Sequence, residues 1–318
     1  MTHLFVKVAK KVQEAEDIVS LELVSLDGGS LPAFSAGAHI DVQLNDATVR
    51  QYSLWNDPSE QHRYLIGVLK DPDSRGGSVA VHDQVKVGDT LQISEPRNRF
   101  ELVSAKHTLL LAGGIGITPL LCMAQRLAQT QADFEMHYCT RSLERTAFHS
   151  TILAAPFAGK VQFHFDNEAA EQKLNLADLL ARQEPGTHIY VCGPTGFIDY
   201  VINTAKTSGW PHDQIHLEYF GAAQHDSTGD TAFQVKIASS GEVFTVAAGS
   251  SVTKVLDEHG VFVPVSCEEG VCGTCLTGVL EGTPDHRDLY LTDEEHAKND
   301  QFTPCCSRSK SAILVLDL

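Results

Sequence analysis

Three hydrophobic patterns follow one another along the 318 residues of this chain. In residues 1–104, short runs such as Ile18–Val24 and Ile40–Leu44 alternate apolar with polar side chains, and glycine or proline separates the runs. Alternation with a period of two is typical of strands that bury one face. Strands that are this short and this regularly spaced indicate a small β-barrel or a sandwich.

The second pattern, in residues 105–224, is one of continuous apolar strands that alternate with helical stretches. Thr108–Ala112 is an apolar run of the kind buried on both faces of a sheet. Leu174–Arg182 and Phe197–Ser208 have helical periodicity instead. Strands that alternate with helices predict a domain with a parallel α/β sheet.

The third pattern begins after a small, polar stretch, 225–231, that has the composition of a linker. In residues 232–318, Phe233–Ile237 alternates apolar and polar side chains, and Val243–Val246 returns as the second strand of a hairpin. Val252–Glu258 has a helical pattern. This part of the chain therefore predicts a separate domain that mixes strands and helices.

Four cysteines in the third region have the spacing of a plant-type iron–sulfur site. Four residues separate Cys267 from Cys272, two separate Cys272 from Cys275, and twenty-nine lie between Cys275 and Cys305. Two irons share four thiolates in such a [2Fe–2S] cluster. The alternatives are four buried structural cysteines or a zinc site, but zinc sites usually use two CxxC-type pairs and only one such pair is present. We assign these four cysteines as cluster ligands, and we prefer Cys305 to the adjacent Cys306 on spacing alone.

A glycine-rich turn follows the first apolar strand of the α/β region. Gly113, Gly114 and Gly116 precede Thr118 and Pro119, and a helical pattern follows. Thr118 is a suitable helix cap and Pro119 fits a first helical turn, which is the layout that places a diphosphate against a helix N-terminus. The glycines do not have the G-x-G-x-x-G order, so the turn alone is weaker evidence for nucleotide binding than that fingerprint would be.

Other short motifs have both a functional and an ordinary interpretation. Cys192-Gly193-Pro194 ends another apolar strand, at the edge where ligands bind in open α/β sheets. On a strand, Arg50 and Tyr52 lie on one face. The Arg50 guanidinium and the Ser53 hydroxyl can bind a phosphate or a ring-edge oxygen, and Tyr52 can lie against a planar heterocycle. A tyrosine on a barrel strand is, however, more often part of the core. Arg75-Gly76-Gly77-Ser78 is either an anion-binding turn or a plain glycine turn.

Composition narrows the possible partners. The net charge of −17 argues against nucleic acid, and no apolar run approaches membrane-spanning length. The first residues lack the apolar core of a signal peptide, so we expect a cytoplasmic protein. Residues 232–318 carry thirteen acidic against six basic side chains, and Glu268 and Glu269 lie in the cysteine loop. This acidic surface either steers a basic partner or is an ordinary solvated face.

Together and in this order, the motifs resemble those of the reductase components of bacterial Rieske-type oxygenases, over essentially the whole chain. The likeness is closest to the phthalate dioxygenase reductase and vanillate demethylase reductase group. It implies an antiparallel β-barrel that binds FMN (1–104), an α/β parallel-sheet domain that binds NADH (105–224) and an α+β ferredoxin domain of the β-grasp type (232–318).

The resemblance also implies which residues hold each cofactor. The flavin contacts, with Phe220 covering the ring, would be Arg50, Tyr52, Ser53, Val68, Lys70, Arg75, Gly76, Gly77, Ser78, Thr118 and Phe220. The NADH contacts would be Gly113, Gly114, Gly116, Thr118, Pro119, Arg141, Cys192, Gly193 and Pro194. The iron ligands would be Cys267, Cys272, Cys275 and Cys305.

The function implied is electron transfer from NADH through FMN and the [2Fe–2S] cluster to a partner Rieske-type oxygenase, by a monomer. No residue is expected to act as an acid–base or nucleophilic catalyst, because no HExxH, GxSxG, P-loop or paired-carboxylate motif is present. Arg141, Ser142 and Arg145 leave the choice between NADH and NADPH open. The alternative is a cluster-carrying, redox-sensing or binding protein that does not turn over NADH.

Overall fold

The computed structural model describes residues 3–45, 48–71, 76–220, 229–265, 268, 270–271 and 273–318. The chain divides into two compact units, Met1–Phe220 and Gly221–Leu318. The boundary expected at residue 104 falls inside the first unit and stays a prediction. Residues 225–228 of the predicted linker lie outside the described residues.

The first unit begins with an antiparallel barrel. Its strands are β1 (His3–Ala15), β2 (Ile18–Ser25), β3 (Ala38–Asn45), β4 (Thr48–Ser53), β5 (Tyr64–Leu69), β6 (Thr90–Ser94) and β7 (Arg97–Asn98). They pair in the order β4-β3-β6-β1-β2-β5, with β7 beside β3. A bridge between Leu54 and Ile66 joins the two ends of that order and closes the barrel. The helix α1 (Gly77–Asp83) lies between β5 and β6 in the sequence.

The alternating pattern produces the barrel because it sends the apolar side chains inward. Leu21, Leu23 and Ile40 are fully buried in one core cluster with other strand residues. The predicted antiparallel β-barrel is therefore confirmed.

A parallel α/β layer follows within the same unit. Its elements are β8 (His107–Gly113), α2 (Ile117–Gln129), β9 (Phe134–Thr140), α3 (His149–Leu153), β10 (Val161–Phe165), α4 (Leu176–Ala181), β11 (Thr187–Gly193), α5 (Thr195–Thr207) and β12 (Ile215–Tyr219). The strand order is β10-β9-β8-β11-β12, and every pair is parallel. The predicted parallel sheet is confirmed. Because β8 and β11 are neighbours, the loops that follow them meet at one edge of the sheet.

One local expectation is wrong. Thr118 does not cap α2, because the helix begins one residue earlier, at Ile117, with Gly116 as its N-cap residue. A short 3-10 turn over Gly114–Gly116 leads directly into the helix, and the Thr118 hydroxyl donates to the Ile115 carbonyl at 3.1 Å. Pro119 does lie in the first turn, as expected.

The second unit mixes strands and helices. Its elements are β13 (Phe233–Ile237), β14 (Val243–Val246), α6 (Val252–Glu258), β15 (Thr277–Glu281), β16 (Pro284–Asp285), α7 (Asp293–Lys298), β17 (Gln301–Phe302), β18 (Arg308–Ser309) and β19 (Ile313–Leu316). The main sheet has the order β14-β13-β19-β15-β17, with α6 packed against it through Val252, Val255 and Leu256. The α+β fold of the β-grasp type is confirmed. In the described ranges of the whole chain, no helix has the length and apolar character needed to cross a bilayer.

Candidate functional site

Two of the four predicted iron ligands lie in the described part of the second unit, in its core. Cys275 is 2% exposed and Cys305 is 7% exposed, and both belong to the core cluster that includes Val263 and Phe302. The two thiols are in hydrogen-bond contact, and this contact raises the pKa of Cys305. Such close thiols suit a cluster, whose irons bind the thiolate forms. Cys267 and Cys272 lie outside the described residues.

The cysteine loop, between Cys267 and Cys275, requires glycine at two positions for two reasons. Gly270 and Gly273 have φ values of 72° and 64°, in the left-handed region that other residues rarely adopt. A Cβ atom on Gly273 would also overlap the ring of Tyr290. The loop therefore packs closely against the segment that contains Tyr290, as a loop wrapped around a small cluster requires.

The segment that carries Cys305 is fixed by a buried arginine. Arg308 is 6% exposed, and its guanidinium donates to the carbonyl oxygens of Ser250 at 2.8 Å and of Thr231 and Ala247 at 3.1 Å. These charge-assisted bonds hold the segment from three directions. The Arg308 contacts thus fix the segment that carries the fourth predicted ligand.

In the first unit, the structure brings Arg50 against the glycine turn that opens α1. A Cβ atom on Gly77 would lie 2.7 Å from the Nε atom of Arg50, so the guanidinium stem passes directly over this glycine. Gly76 has a φ of 83°, and the Ser78 hydroxyl accepts from the Asp71 amide at 3.1 Å, which closes the loop. A guanidinium beside a glycine turn fits a phosphate group. Arg75 lies outside the described residues.

The Ser53 hydroxyl donates to Glu218 at 3.3 Å, across 165 positions of sequence. Ser53 ends β4 of the barrel, while Glu218 lies in β12, beside Cys192 in the sheet register. Burial raises the pKa of the Glu218 carboxyl to about 8, so it is protonated at neutral pH. Sequence reasoning missed Glu218, and its strand β12, a half-buried edge strand of the parallel sheet, offers no strong signal in the sequence.

Tyr52, on the same strand, packs partly against the barrel core, and burial raises the pKa of its hydroxyl. Val68 is 1% exposed in that core, and its carbonyl oxygen lies 2.9 Å from the His82 ring. Lys70 pairs with Asp83 at 2.7 Å. The expected flavin contacts of these three residues stay predictions.

The start of α2 touches the barrel. A Cβ atom on Gly67 of β5 would lie 2.9 Å from the methyl carbon of Thr118, so no larger residue fits between them. Thr118 is 1% exposed. This contact places the glycine turn after β8 next to the barrel strands, and the predicted flavin and nucleotide sites therefore adjoin each other. Phe220, which follows β12, is 40% exposed.

The two predicted nucleotide loops interlock through their backbones. A Cβ atom on Gly116 would overlap the carbonyl oxygen of Cys192, and one on Gly193 would lie 2.9 Å from the Cα atom of Gly113. Pro194 is the N-cap residue of α5. Cys192 is fully buried, and burial raises the pKa of its thiol well above the ordinary value. The neutral thiol can line a site, but it is not a nucleophile.

The two arginines near the end of β9 are not equivalent. Arg145 pairs with Glu16 at 2.8 Å and with Asp17 at 3.5 Å, so its charge is used to hold the barrel and the α/β layer together. Arg141 is exposed, and its carbonyl oxygen accepts from the Asn167 amide at 3.0 Å. Of the two, Arg141 is the one whose side chain is directed to solvent.

The raised pKa of Glu218 predicts a pH-dependent stability. Between its unfolded pKa near 4.5 and the folded value of about 8, folding takes up a proton, so stability falls as pH rises. Glu218→Gln removes this effect. We therefore expect the free energy of unfolding of the variant, minus that of the wild type, to be up to about 2 kcal/mol larger at pH 8 than at pH 6. Urea unfolding of flavin-free protein, followed by fluorescence, measures it, because the chain's two tryptophans, Trp55 and Trp210, lie in the first unit.

Glu60 offers a control of opposite sign. Although burial alone would raise it, the pKa of the Glu60 carboxyl is lowered by two hydrogen bonds from Arg63, each 2.9 Å long, so its stabilisation is fully present above the unfolded pKa near 4.5. Because arginine keeps its charge in this range, Glu60→Gln should destabilise the first unit equally at pH 6 and pH 8. A Glu218→Gln effect that is the same at both pH values would contradict the assignment of a protonated Glu218.

Comparisons with known proteins agree with both units. Residues 235–310 match the family model described as a 2Fe-2S iron-sulfur cluster binding domain, and residues 96–215 match the N-terminal domain of the DmmA-like subunit of dimethylamine monooxygenase. The chain is 59% identical over 305 residues to vanillate O-demethylase oxidoreductase of Pseudomonas sp. strain HR199, with 96% of each chain covered.

The phthalate dioxygenase reductase of Burkholderia cepacia is 40% identical over 99% of this chain and 97% of that protein. A solved structure of a phthalate dioxygenase reductase, described as modular for electron transfer from pyridine nucleotides to [2Fe–2S], superposes with a TM-score of 0.81 at 40% identity, covering 99% of this chain and 98% of the other. The chain therefore belongs to the family of iron–sulfur oxidoreductases that serve as reductase components of oxygenase systems.

Proposed function

We propose that the protein transfers electrons from NADH through FMN and a [2Fe–2S] cluster to a Rieske-type oxygenase. One observation carries the proposal. The hydrogen bond from Ser53 to Glu218 at 3.3 Å joins the barrel strand expected to hold the flavin to the sheet edge expected to hold the nucleotide. A hydride donor and its acceptor must meet within van der Waals distance, and this is the junction at which the two predicted sites adjoin.

NADH gives up two electrons as a hydride, whereas the cluster accepts one electron at a time. A flavin can accept the hydride and pass on single electrons, so it is the carrier needed between them. The residues of this chain bind and orient. Arg50 supplies a cation beside the turn at Gly77, and Ser53 supplies a hydroxyl at its junction with Glu218. Cys192 contributes a neutral, buried thiol that would line the nucleotide site. Phe220 contributes an exposed aromatic ring after the end of β12.

The preference for NADH over NADPH is supported by the ion pairs of Arg145. An additional 2′-phosphate needs a nearby cation that is free to bind it. Arg145 is engaged by Glu16 and Asp17, which leaves Arg141 as the exposed arginine at this edge. One of the two arginines that could meet a 2′-phosphate is therefore already engaged, which favours NADH, a donor that requires neither arginine.

The proposal includes a partner of the Rieske type, a monomeric reductase and a cytoplasmic location. The named relatives are reductases of oxygenase systems, such as the phthalate 4,5-dioxygenase and carnitine monooxygenase reductase subunits. A monomer suffices because one chain contains all the predicted cofactor sites, and the cytoplasm is where NADH is regenerated.

Cofactor analysis together with rapid mixing tests this function. Purified protein should contain about one FMN and about two irons per chain, and NADH should bleach the flavin band before the cluster band. A cluster-carrying binding protein would contain iron but would show no change with NADH. Finding FAD in place of FMN would revise the cofactor, whereas the absence of any flavin would overturn the proposal.

A further inference from the structure

The second unit exposes large apolar side chains beside the cysteine loop. Phe262 is 80% exposed, and Val265, Leu276 and Leu289 are 40%, 36% and 41% exposed. We call these four residues the apolar collar. Single exposed apolar residues are ordinary on protein surfaces, but several that adjoin one functional loop indicate an interaction site.

Backbone contacts fix where two collar residues lie. The Leu289 amide donates to the Gly270 carbonyl at 3.0 Å, and the Leu276 amide donates to the Gly273 carbonyl at 3.1 Å. Gly270 and Gly273 both belong to the cysteine loop. Leu276 also directly follows the predicted ligand Cys275. These two leucines therefore border the loop itself.

The other two collar residues lie on the segment that enters the loop. Val263 is buried in the core cluster that contains Cys275 and Cys305, while its neighbour Phe262 is directed to solvent. Val265 lies two residues before the predicted ligand Cys267. With four-fifths of its surface exposed, the Phe262 ring contributes little to the packing of the described part of this unit.

We propose that the apolar collar is the docking surface for the oxygenase that accepts the electrons. This inference rests on the proposed function, since electrons leave the protein from the cluster and the acceptor has to approach its loop. Exposed aromatic and aliphatic side chains at the centre of an interface supply most of its affinity once the partner excludes water from them.

Charge selects the kind of partner. Residues 232–318 carry thirteen acidic and six basic side chains, so two copies of this unit repel each other, and an anionic membrane repels it as well. A protein with an apolar patch inside a basic rim complements the surface. In this arrangement the collar sets the affinity, whereas the acidic side chains set the association rate and its dependence on salt.

The test uses the full-length holoprotein and, as the acceptor, the purified oxygenase component of a Pseudomonas vanillate O-demethylase. We expect Phe262→Ser and Leu289→Ser each to raise the KM for the oxygenase about tenfold with little change in kcat. Matched controls are Leu280→Ser and Val243→Ser, since these residues are 57% and 46% exposed on β15 and β14 and border no loop glycine in the contacts above. The controls should leave KM unchanged.

Reduction of each variant's own cluster by NADH, followed by its absorbance, checks that the internal electron path is intact. The tenfold effect should persist between about 50 mM and about 500 mM NaCl, because apolar contacts are not screened. Equal KM values for collar and control variants would overturn the inference while leaving the proposed function standing. If wild-type protein reduced by NADH delivers no electrons to this oxygenase, the proposed function fails and the inference falls with it.

Discussion

Cys305→Ser is expected to abolish electron delivery to cytochrome c, while Cys306→Ser preserves it. The Cys305 thiol is in hydrogen-bond contact with Cys275, as two ligands of one cluster should be. The Cys306 thiol also contacts Cys305, and its sulfur lies 3.3 Å from the Thr303 hydroxyl. The choice of Cys305 over Cys306 therefore rests on the ligand spacing. A serine hydroxyl is a much poorer ligand for iron than a thiolate, so only the first substitution should remove a cluster ligand.

The measurement separates the two units of the protein. In the Cys305→Ser variant, NADH should still bleach the flavin at the wild-type rate, while the cluster absorbance and the iron content are lost. Loss of flavin reduction as well would contradict independent sites. The opposite ranking, with an intact cluster in Cys305→Ser and none in Cys306→Ser, would reassign the fourth ligand.

The features that sequence predicted well are those set by short-range patterns. Twenty-nine residues lie between Cys275 and Cys305, and the structure brings these two thiols into contact in the core, as the plant-type spacing predicts, while their role as iron ligands stays a prediction. The apolar run Thr108–Ala112 predicted a strand buried on both faces, and the structure buries all five of its residues. In both cases the signal lies in residues of one chemical type at fixed positions, cysteines for the cluster and apolar side chains for the buried strand.

The features that sequence did not predict depend on contacts between distant segments. Nothing near Ser53 shows that its hydroxyl meets Glu218, because the partner is supplied by the closing of a different sheet. The burial that raises the pKa of Glu218 is likewise a property of the assembled junction between the barrel and the α/β layer. The start of α2 was misplaced for a local reason, since the 3-10 turn over Gly114–Gly116 performs the task expected of the Thr118 side chain.

The glycines of the nucleotide loops show how one motif can have two causes. The pattern around Gly113 and Gly116 was interpreted as room for a diphosphate. The structure adds a second requirement, because Gly113 faces Gly193, and Gly116 faces Cys192, at distances that leave no space for a Cβ atom. These glycines thus align the two loops with each other whether or not a ligand is bound.

Gly116→Ala should therefore weaken both the fold and the binding of NADH. The new methyl group would overlap the backbone of Cys192 and Gly193, and backbone atoms cannot rotate away as a side chain does. Overpacking of this kind costs about 1–3 kcal/mol of folding free energy even where the structure can relax. Any relaxation moves the loop after β8 away from the loop after β11. We expect a lower urea midpoint in tryptophan fluorescence, together with a higher KM for NADH in flavin reduction.

Gly196→Ala is the matched control, at the second residue of the neighbouring helix α5. Gly196 is exposed in α5, and a Cβ atom there meets nothing within 4 Å. Because alanine is a better helix former than glycine, by at most about 1 kcal/mol, this variant should be as stable as the wild type or slightly more stable, with an unchanged KM for NADH. If both variants behave alike, the close approach of the two loops is not what requires glycine at position 116. If Gly116→Ala is destabilised but binds NADH normally, the contact serves the fold alone, and the nucleotide lies elsewhere on the sheet edge.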